Sequence, residues 1–274
     1  MKVIFLDVDG TLIDYRCIIP QSARDAINEA RAKGNKVYLC TGCSLKEIEV
    51  RNLGVEYDGN ICGNGCYIDT DGKVLYHRPL TLEECTHFVD WCKERDMAFR
   101  LECNSGMYLS DDYPEKALLA NVRYRRGKDA QLLPTDKPTI HPGCYIHENL
   151  YRDDCNKTAF VLRSYQDYLD AKEEFKGLQV GTWGGVGEAA LYGDVSAVVT
   201  KASAIKQLLE YLGVDAKDTY AFGDARSDIP MFEVCGTAVS MGNGGPECKA
   251  AADYITDDVN ENGLYNAFKH FDLI

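Results

Sequence analysis

Two aspartates near the start of the chain, Asp7 and Asp9, have a spacing that suits metal binding. They follow the apolar run 3–6, which predicts a buried parallel strand, and open α/β sheets bind ligands just beyond such strand ends. Side chains alternate along an extended segment, so both carboxylates point to the same side. Because adjacent carboxylates repel each other and Mg²⁺ prefers oxygen ligands, the pair predicts a magnesium site. The alternative is an aspartate-rich turn that only closes the strand.

A second acidic pair, Asp224 and Asp228, follows another apolar strand and precedes a helix. These two carboxylates could complete a metal site with Asp7. The alternative is that they are acids favoured by the dipole at a helix N-terminus. That alternative fits Asp228 better than Asp224, which follows Gly223 in the loop.

Two further positions could bind an anion. Thr41 and Gly42 lie between a strand and a helix, where a hydroxyl and open backbone N–H groups make an anion site. A plain strand-to-helix turn is an equal alternative on these residues alone. Lys201 opens a helix after an apolar run, although most lysines are solvated surface charges.

The elements that must position these residues alternate between strand and helix at both ends of the chain. The first 65 residues read as β-α-β-α-β, and the same rhythm returns with a helix over 201–212. The middle differs: it has a hairpin pattern around 104–106 and strand patterns over 178–183 and 188–192. We therefore expect an α/β fold with a parallel sheet built from both ends of the chain and an inserted α+β cap.

The four motifs, in this order, resemble those of the haloacid dehalogenase-like phosphatases, and of their Cof-type branch in particular. FLDVDGT, LCTG, the lysine at 201 and FGDARSDIPMF are similar to motifs one to four, and ICGNG at 61–65 is similar to a further segment of that branch. The resemblance covers nearly the whole chain. It implies a Rossmann-like core domain at 1–82 and 192–274, and an α+β cap at 83–191 that chooses the substrate.

The resemblance also implies a mechanism through an aspartyl-phosphate. Asp7 would be the nucleophile, Asp9 the general acid and base, Thr41 a ligand of the phosphoryl oxygens and Lys201 the balancing charge. The implied Mg²⁺ ligands are Asp7, Asp9 through its main-chain carbonyl, and Asp224, with Asp228 in support. The implied substrate-binding residues are Thr11, Gly42, Asn64 and Ser227.

Two positions depart from the branch. Cys43 stands where the branch usually has an arginine, and Ser227 stands where it usually has an asparagine. Both positions tend to touch the substrate or the metal shell. The core chemistry is expected to survive, whereas the substrate preference of relatives does not carry over directly.

The overall composition excludes some classes of binding partner. The net charge of −13 argues against nucleic acid and anionic membrane surfaces as partners, and no apolar run approaches the length of a membrane span. The N-terminus has too short an apolar stretch for a secretory signal, so we expect a cytoplasmic protein, monomeric or weakly homo-oligomeric, that takes a small phosphate ester. The twelve cysteines are then expected to be reduced thiols.

Three other functions remain open on the sequence. A phosphomutase or phosphotransferase could use the same fold, and a sugar-phosphate sensor could bind without turnover. Cys40 and Cys43, with Cys62 and Cys66, could instead hold zinc or act as a redox centre. Finally, the basic run over 123–128 is either a solvated face or a contact for an anionic leaving group.

Overall fold

Fourteen strands and ten α-helices follow one another in the computed structural model, which describes residues 1–274. The strands are β1 (Val3–Leu6), β2 (Lys36–Cys40), β3 (Gly59–Cys62), β4 (Tyr67–Thr70), β5 (Lys73–His77), β6 (Phe99–Cys103), β7 (Met107–Leu109), β8 (Cys144–Tyr145), β9 (Cys155–Val161), β10 (Gln179–Trp183), β11 (Tyr192–Ser196), β12 (Thr219–Gly223), β13 (Thr237–Ser240) and β14 (Tyr254–Ile255). The helices are α1 (Gln21–Ala32), α2 (Leu45–Arg51), α3 (Leu82–Glu94), α4 (Tyr113–Lys116), α5 (Leu118–Arg126), α6 (Tyr165–Glu174), α7 (Lys201–Leu212), α8 (Ile229–Phe232), α9 (Pro246–Ala251) and α10 (Gly263–His270).

The chain divides into two compact units. The first unit comprises Met1–Cys43, Arg51–His77 and Val199–Ile274, and the second comprises Ser44–Val50 and Arg78–Val198. The expected α/β fold, with a parallel sheet built from both ends of the chain, is confirmed. The changeovers at 77/78 and 198/199 lie a few residues from the expected boundaries near 82 and 192, and 44–50 joins the second unit.

The first unit contains an eight-stranded sheet in the order β14-β13-β12-β1-β2-β3-β4-β5. Neighbours from β14 to β3 pair in parallel, whereas β3–β4 and β4–β5 pair antiparallel. The β4–β5 hairpin was not predicted, although Asp71 and Gly72 supply the two positive φ angles that a tight hairpin turn requires.

Burial in the first unit follows the residue pattern. All four residues of β1 are buried, as expected for a strand covered on both faces. Helix α7 turns a stripe of apolar side chains, including Ala204, Ile205 and Leu208, towards the same core as Phe5 and Tyr38. Helix α7 ends at Gly213, whose left-handed conformation (φ 64°) glycine adopts without strain. The sheet and this helix therefore hold the ends of β1 and α7 in fixed positions.

The second unit contains a six-stranded sheet in the order β10-β11-β9-β6-β7-β8, antiparallel except for β7–β8. One face packs on aromatic side chains of α3, where the Phe88 and Phe99 rings lie edge to face at 5.6 Å between centroids. The expected hairpin around 104–106 is confirmed by β6 and β7.

The expected strand at 188–192 is wrong. Gly187–Ala189 form a short 3₁₀ turn, and β11 begins only at Tyr192. Apolar residues recur from Ala189 to Val199, so the sequence pattern predicts a strand in this region but does not define the residue at which it begins.

No helix in the structure is both long enough and apolar enough to cross a membrane.

Candidate active site

Three adjacent parallel strands, β12, β1 and β2, end at the candidate site. Asp7 follows β1, and its N–H donates to the Phe222 carbonyl of β12 at 2.9 Å. Thr41 follows β2, with its N–H donating to the Ile61 carbonyl of β3 at 2.8 Å. Asp224 follows β12 directly. Pairing that continues past the strand ends therefore fixes the backbone from which these side chains extend.

Lys201 is buried at this site, not solvated on the surface. It is the first residue of α7, whose N-cap Thr200 accepts a hydrogen bond from the Ser203 N–H at 3.1 Å. Its side chain is 2% exposed, and its Nζ lies 2.7 Å from Asp7 Oδ1 and 2.6 Å from Asp228 Oδ1. Burial alone lowers a lysine pKa, but Asp228 and Asp7 outweigh it and hold the Lys201 pKa well above its usual value.

Asp7, Asp224 and Asp228 form a buried acidic cluster whose oxygen atoms lie within 4.8 Å of one another. Burial first, and then the charge of Asp228, raises the pKa of Asp7 well above its usual value. Burial, with Asp228 again adding to it, raises the pKa of Asp224 to about 6. Three carboxylates face one ammonium group, so the cluster has an excess of negative charge that a divalent cation fits.

Asp228 has both oxygens engaged by the protein itself. Oδ1 accepts from Lys201, while Oδ2 accepts from the backbone N–H groups of Asp224 and Ala225, each at 3.0 Å. The side chain is fully buried. This geometry suits a residue that holds Lys201 and the 224–225 backbone in place beside the predicted metal ligands Asp7 and Asp224.

Asp9 is half-buried and meets an arginine that the motifs did not indicate. Arg51 Nη1 donates to Asp9 Oδ1 at 2.9 Å and to Oδ2 at 3.0 Å. The Cys43 thiol lies 3.5 Å from the same Oδ2. A guanidinium group is therefore present beside Asp9 even though position 43 carries no arginine.

Gly10 lets the chain turn tightly against Asp224. Its φ of 84° favours glycine, and a Cβ atom at this position would collide with the Asp224 carboxyl group. The Tyr15 hydroxyl donates to Asp224 Oδ2 at 2.5 Å. The Asn243 side-chain amide donates to the Gly10 carbonyl at 2.7 Å. Thr11 is fully buried with its Oγ1 3.5 Å from Asp224 Oδ1, so it lies beside a predicted metal ligand.

The turn after β2 is stabilised by hydrogen bonds to Thr41. Thr41 Oγ1 accepts from the Cys43 N–H at 3.1 Å, and the Asn64 N–H donates to the Thr41 carbonyl at 3.1 Å. Asn64 itself is left-handed, with φ 57°. Gly42 is half-buried within this turn. Ser227 lies in a different segment, exposed in the 3₁₀ turn Arg226–Asp228.

The cysteines form no disulfide. Cys40, Cys62 and Cys66 are buried, and burial raises the pKa of the Cys40 thiol. The group of acidic, cysteine or histidine side chains that the structure gathers at metal-binding distance is the aspartate cluster, not this cysteine set.

Sequence reasoning missed Tyr15, Arg51 and Asn243. Each contacts a motif residue through its side chain from a segment with no recognisable motif. Tyr15 lies four residues after the end of motif one, and this closeness in sequence was the only indication that it contacts the site. Arg51 and Asn243 had no such signal.

Comparison with known proteins agrees with this geometry. A family model for haloacid dehalogenase-like hydrolases matches residues 4–268. YkrA of Bacillus subtilis strain 168, which carries a provisional phosphatase name, is 28% identical over 100% of this chain and 98% of its own. YwtE of the same organism, named a 5-amino-6-(5-phospho-D-ribitylamino)uracil phosphatase, is 26% identical over 96% of both chains.

A solved structure extends the likeness to the fold. The sugar phosphatase of HAD subclass IIB superposes with a TM-score of 0.76 at 25% identity, covering 100% of both chains. The family match over nearly the whole chain confirms the resemblance seen in the motifs. The chain therefore belongs to the haloacid dehalogenase-like hydrolases, in their Cof-type phosphatase branch, and is a phosphoric monoester hydrolase.

Proposed function

We propose that the protein is a Mg²⁺-dependent phosphatase that hydrolyses a small phosphorylated metabolite, a sugar phosphate or similar polyol phosphate, through an aspartyl-phosphate on Asp7. The observation that supports it best is the buried cluster in which Lys201 contacts Asp7 and Asp228. A carboxylate in position to act as nucleophile, a fixed ammonium group and spare negative charge for a metal lie together where the central strands β1 and β12 end.

In the first half-reaction, Asp7 attacks phosphorus and the bond from phosphorus to the leaving oxygen breaks. Asp9 gives its proton to that oxygen. Lys201 holds one Asp7 oxygen at 2.7 Å, which orients the carboxylate, and its positive charge opposes repulsion between Asp7 and the phosphate. The Thr41 hydroxyl, which accepts from the Cys43 N–H, keeps its own hydrogen to donate to a phosphoryl oxygen.

In the second half-reaction, water attacks phosphorus, Asp9 takes a proton from that water, and the bond from phosphorus to Asp7 breaks. Asp7 is restored as a carboxylate and inorganic phosphate is released. Asp9 thus acts first as acid and then as base, so its side chain needs access to both the leaving oxygen and the water.

The proposed metal ligands are Asp7, the Asp9 main-chain carbonyl and Asp224, with Asp228 in support. Bound Mg²⁺ would supply positive charge that offsets the crowded carboxylates and the phosphate. Tyr15, Thr11 and Gly10 keep Asp224 in position for this role.

The substrate class rests on relatives together with the site. YwtE is named for a substrate with a phosphorylated ribityl chain, and the structural neighbour is named a sugar phosphatase. In both, the phosphate sits on a hydroxyl-rich carbon chain. Because position 43 and position 227 depart from the branch, the individual substrate need not match either relative.

Activity should depend on Mg²⁺. We expect hydrolysis of p-nitrophenyl phosphate to be lost with EDTA and restored by Mg²⁺. Ca²⁺ should restore it poorly, because its larger and looser ligand shell spoils the geometry for in-line attack. Inorganic phosphate release measures hydrolysis, and its absence during substrate conversion would indicate a phosphotransferase or phosphomutase instead. Full activity after exhaustive chelation would contradict the metal role.

We also propose that the segment around residues 83–191 acts as a substrate-choosing cap. All the candidate catalytic side chains lie in the first unit, whereas the second unit has its own sheet and core. Within it, Arg126 pairs with the Asp136 carboxylate and Arg123 Nε donates to the Ala130 carbonyl at 3.5 Å, whereas the exposed Arg125 contacts an imidazole, with Nη2 3.3 Å from His141 Nε2. Arg125 is therefore the first residue to test.

Replacing Arg125 by alanine should lower kcat/KM for the best natural substrate by about 10- to 100-fold. Hydrolysis of p-nitrophenyl phosphate should fall far less, because a small generic ester gains little from cap contacts. Arg123→Ala and Arg126→Ala extend the test along the same helix. Lys176→Ala, an exposed change in the same unit, is the matched control. Equal losses for both substrates would refute this division of roles.

A further inference from the structure

The ion pair between Arg51 and Asp9 points to a role for Arg51 that the motifs do not assign. Arg51 is the last residue of α2, and one of its nitrogen atoms, Nη1, donates to both carboxylate oxygens at 2.9 and 3.0 Å. The two side chains are 23% and 32% exposed, so the pair stands where a ligand can reach it.

This arrangement restricts the work proposed for Asp9. Proton transfer needs an Asp9 oxygen within hydrogen-bond reach of the leaving oxygen and later of water. In the structure both oxygens accept from Arg51. Each oxygen keeps a second acceptor site, but Arg51 takes one site on both, so its departure would open Asp9 more fully to the leaving oxygen and then to water.

Charge indicates where the guanidinium would go. Lys201 is already held between Asp7 and Asp228, so it cannot move far towards a ligand without leaving buried carboxylates unpaired. Arg51 is more exposed than Lys201, with 23% of its side chain accessible against 2%, so moving it towards a ligand exposes less buried charge. A phosphate dianion carries more charge than a carboxylate and matches the planar donor fork of arginine, so it competes well for Arg51.

The location of the Arg51–Asp9 pair also indicates that Arg51 can reach a bound phosphate. The Cys43 thiol lies 3.5 Å from Asp9 Oδ2, and the Cys43 N–H donates to Thr41 Oγ1. The ion pair therefore adjoins the turn at 41–43, where the phosphoryl oxygens are proposed to bind.

We propose that Arg51 is a phosphate-binding residue that is held on Asp9 in the free protein and transfers to a phosphoryl oxygen when substrate binds, which frees Asp9 for proton transfer. This inference rests on the proposed function. It differs from a simpler role in which Arg51 only neutralises Asp9 and never touches the ligand.

A double-mutant cycle on binding separates these roles without requiring turnover. The dissociation constant of inorganic phosphate is measured by calorimetry, with saturating Mg²⁺, for the wild type, Arg51→Met, Asp9→Asn and the double variant. If Arg51 binds phosphate, Arg51→Met should weaken binding by about 10- to 100-fold in both the wild-type and the Asp9→Asn background. Asp9→Asn alone should tighten binding, because Arg51 is then released from its competing partner.

Phosphate binding by Arg51 and mere neutralisation of Asp9 by Arg51 predict different phosphate affinities in the Asp9→Asn background. If Arg51→Met leaves phosphate affinity unchanged there, Arg51 acts only on Asp9 and the inference is overturned, while the proposed function stands. If the wild type with Mg²⁺ binds no phosphate at all, the inference is overturned, whereas the proposed function is tested separately by the release of inorganic phosphate from substrate. Arg51→Gln repeats the measurement should the methionine variant not fold.

The matched control is Arg24→Met. Arg24 donates to the carbonyl groups of Leu53 and Gly54, just after α2, and does not contact Asp9. Its loss should loosen that segment yet leave the phosphate dissociation constant unchanged. A loss of affinity equal to that of Arg51→Met would show that loosening of the segment explains the effect, which also overturns the inference.

Discussion

Replacing Asp7 by asparagine should lower turnover by about 10⁴-fold or more with every substrate, since the amide cannot form the aspartyl-phosphate. The fold should survive, because Asn has the same shape and Lys201 keeps its second partner, Asp228, at 2.6 Å. Asp7 is one of three crowded buried carboxylates. Removing its charge should therefore leave the thermal midpoint of the metal-free protein equal to or above that of the wild type.

Steady-state phosphate release and thermal melting, both on purified protein, measure the two effects. Glu29→Gln makes the same change of charge at an exposed position of α1 and should alter neither quantity. If Asp7→Asn keeps more than a few per cent of wild-type activity, covalent catalysis by Asp7 is wrong. The mass of the Asp7→Asn protein should be verified before the assay, since deamidation of the asparagine would restore aspartate and with it activity.

Replacing Lys201 by methionine should damage both stability and catalysis. The variant leaves the Asp7 and Asp228 carboxylates buried without their ammonium partner, and breaking a buried pair in this way costs about 3–5 kcal/mol. The free energy of unfolding of the metal-free protein should fall by that order. Turnover of all substrates should fall together, because Lys201 contacts the nucleophile itself and not the leaving group.

Lys206→Met tests the same substitution on the exposed side of α7 and should be close to neutral in both measurements. Chemical denaturation in EDTA gives the stability change, and kcat/KM for a generic and a natural substrate gives the catalytic one. A Lys201→Met protein with wild-type stability would contradict the buried ion pair. Selective loss with one substrate would instead place Lys201 at the leaving group.

The sequence predicted the parallel part of the fold because its signals are local. The fully apolar β1, the helix stripe of α7 and the glycine that follows that helix each specify an element within a few residues. The start of β11 was misplaced because several apolar residues follow one another there. The β4–β5 hairpin was overlooked although Asp71-Gly72 indicated it.

The site was predictable only where side chains leave the ends of strands or helices. Asp7, Thr41 and Asp224 end adjacent strands, so sheet topology alone brings them together. Lys201 was placed by its motif, while its burial between two carboxylates was visible only in the structure. The Arg51–Asp9 pair joins residues 42 positions apart through a long side chain, and no local pattern encodes such a contact.

The net charge of −13 makes the positive groups at the site, Lys201 and Arg51, more important for binding an anionic substrate. The overall field opposes an anionic substrate, so affinity must come from short-range groups at the site. Lys201 is fixed between carboxylates, whereas Arg51 is partly exposed, and a bound divalent cation would add to both. Substrate affinity should therefore depend strongly on Mg²⁺ and on Arg51.

The most direct test of the central claim is to find the phosphoryl group on Asp7 during turnover. The protein is mixed with substrate and Mg²⁺, quenched with acid within the first turnover, digested, and examined by mass spectrometry. The proposed mechanism predicts one added phosphoryl group on the peptide that contains Asp7, located on that side chain and absent from Asp7→Asn. A phosphoryl group on another residue would contradict it, as would rapid phosphate release with no phosphorylated peptide in the Asp9→Asn variant, where the second half-reaction should be slow.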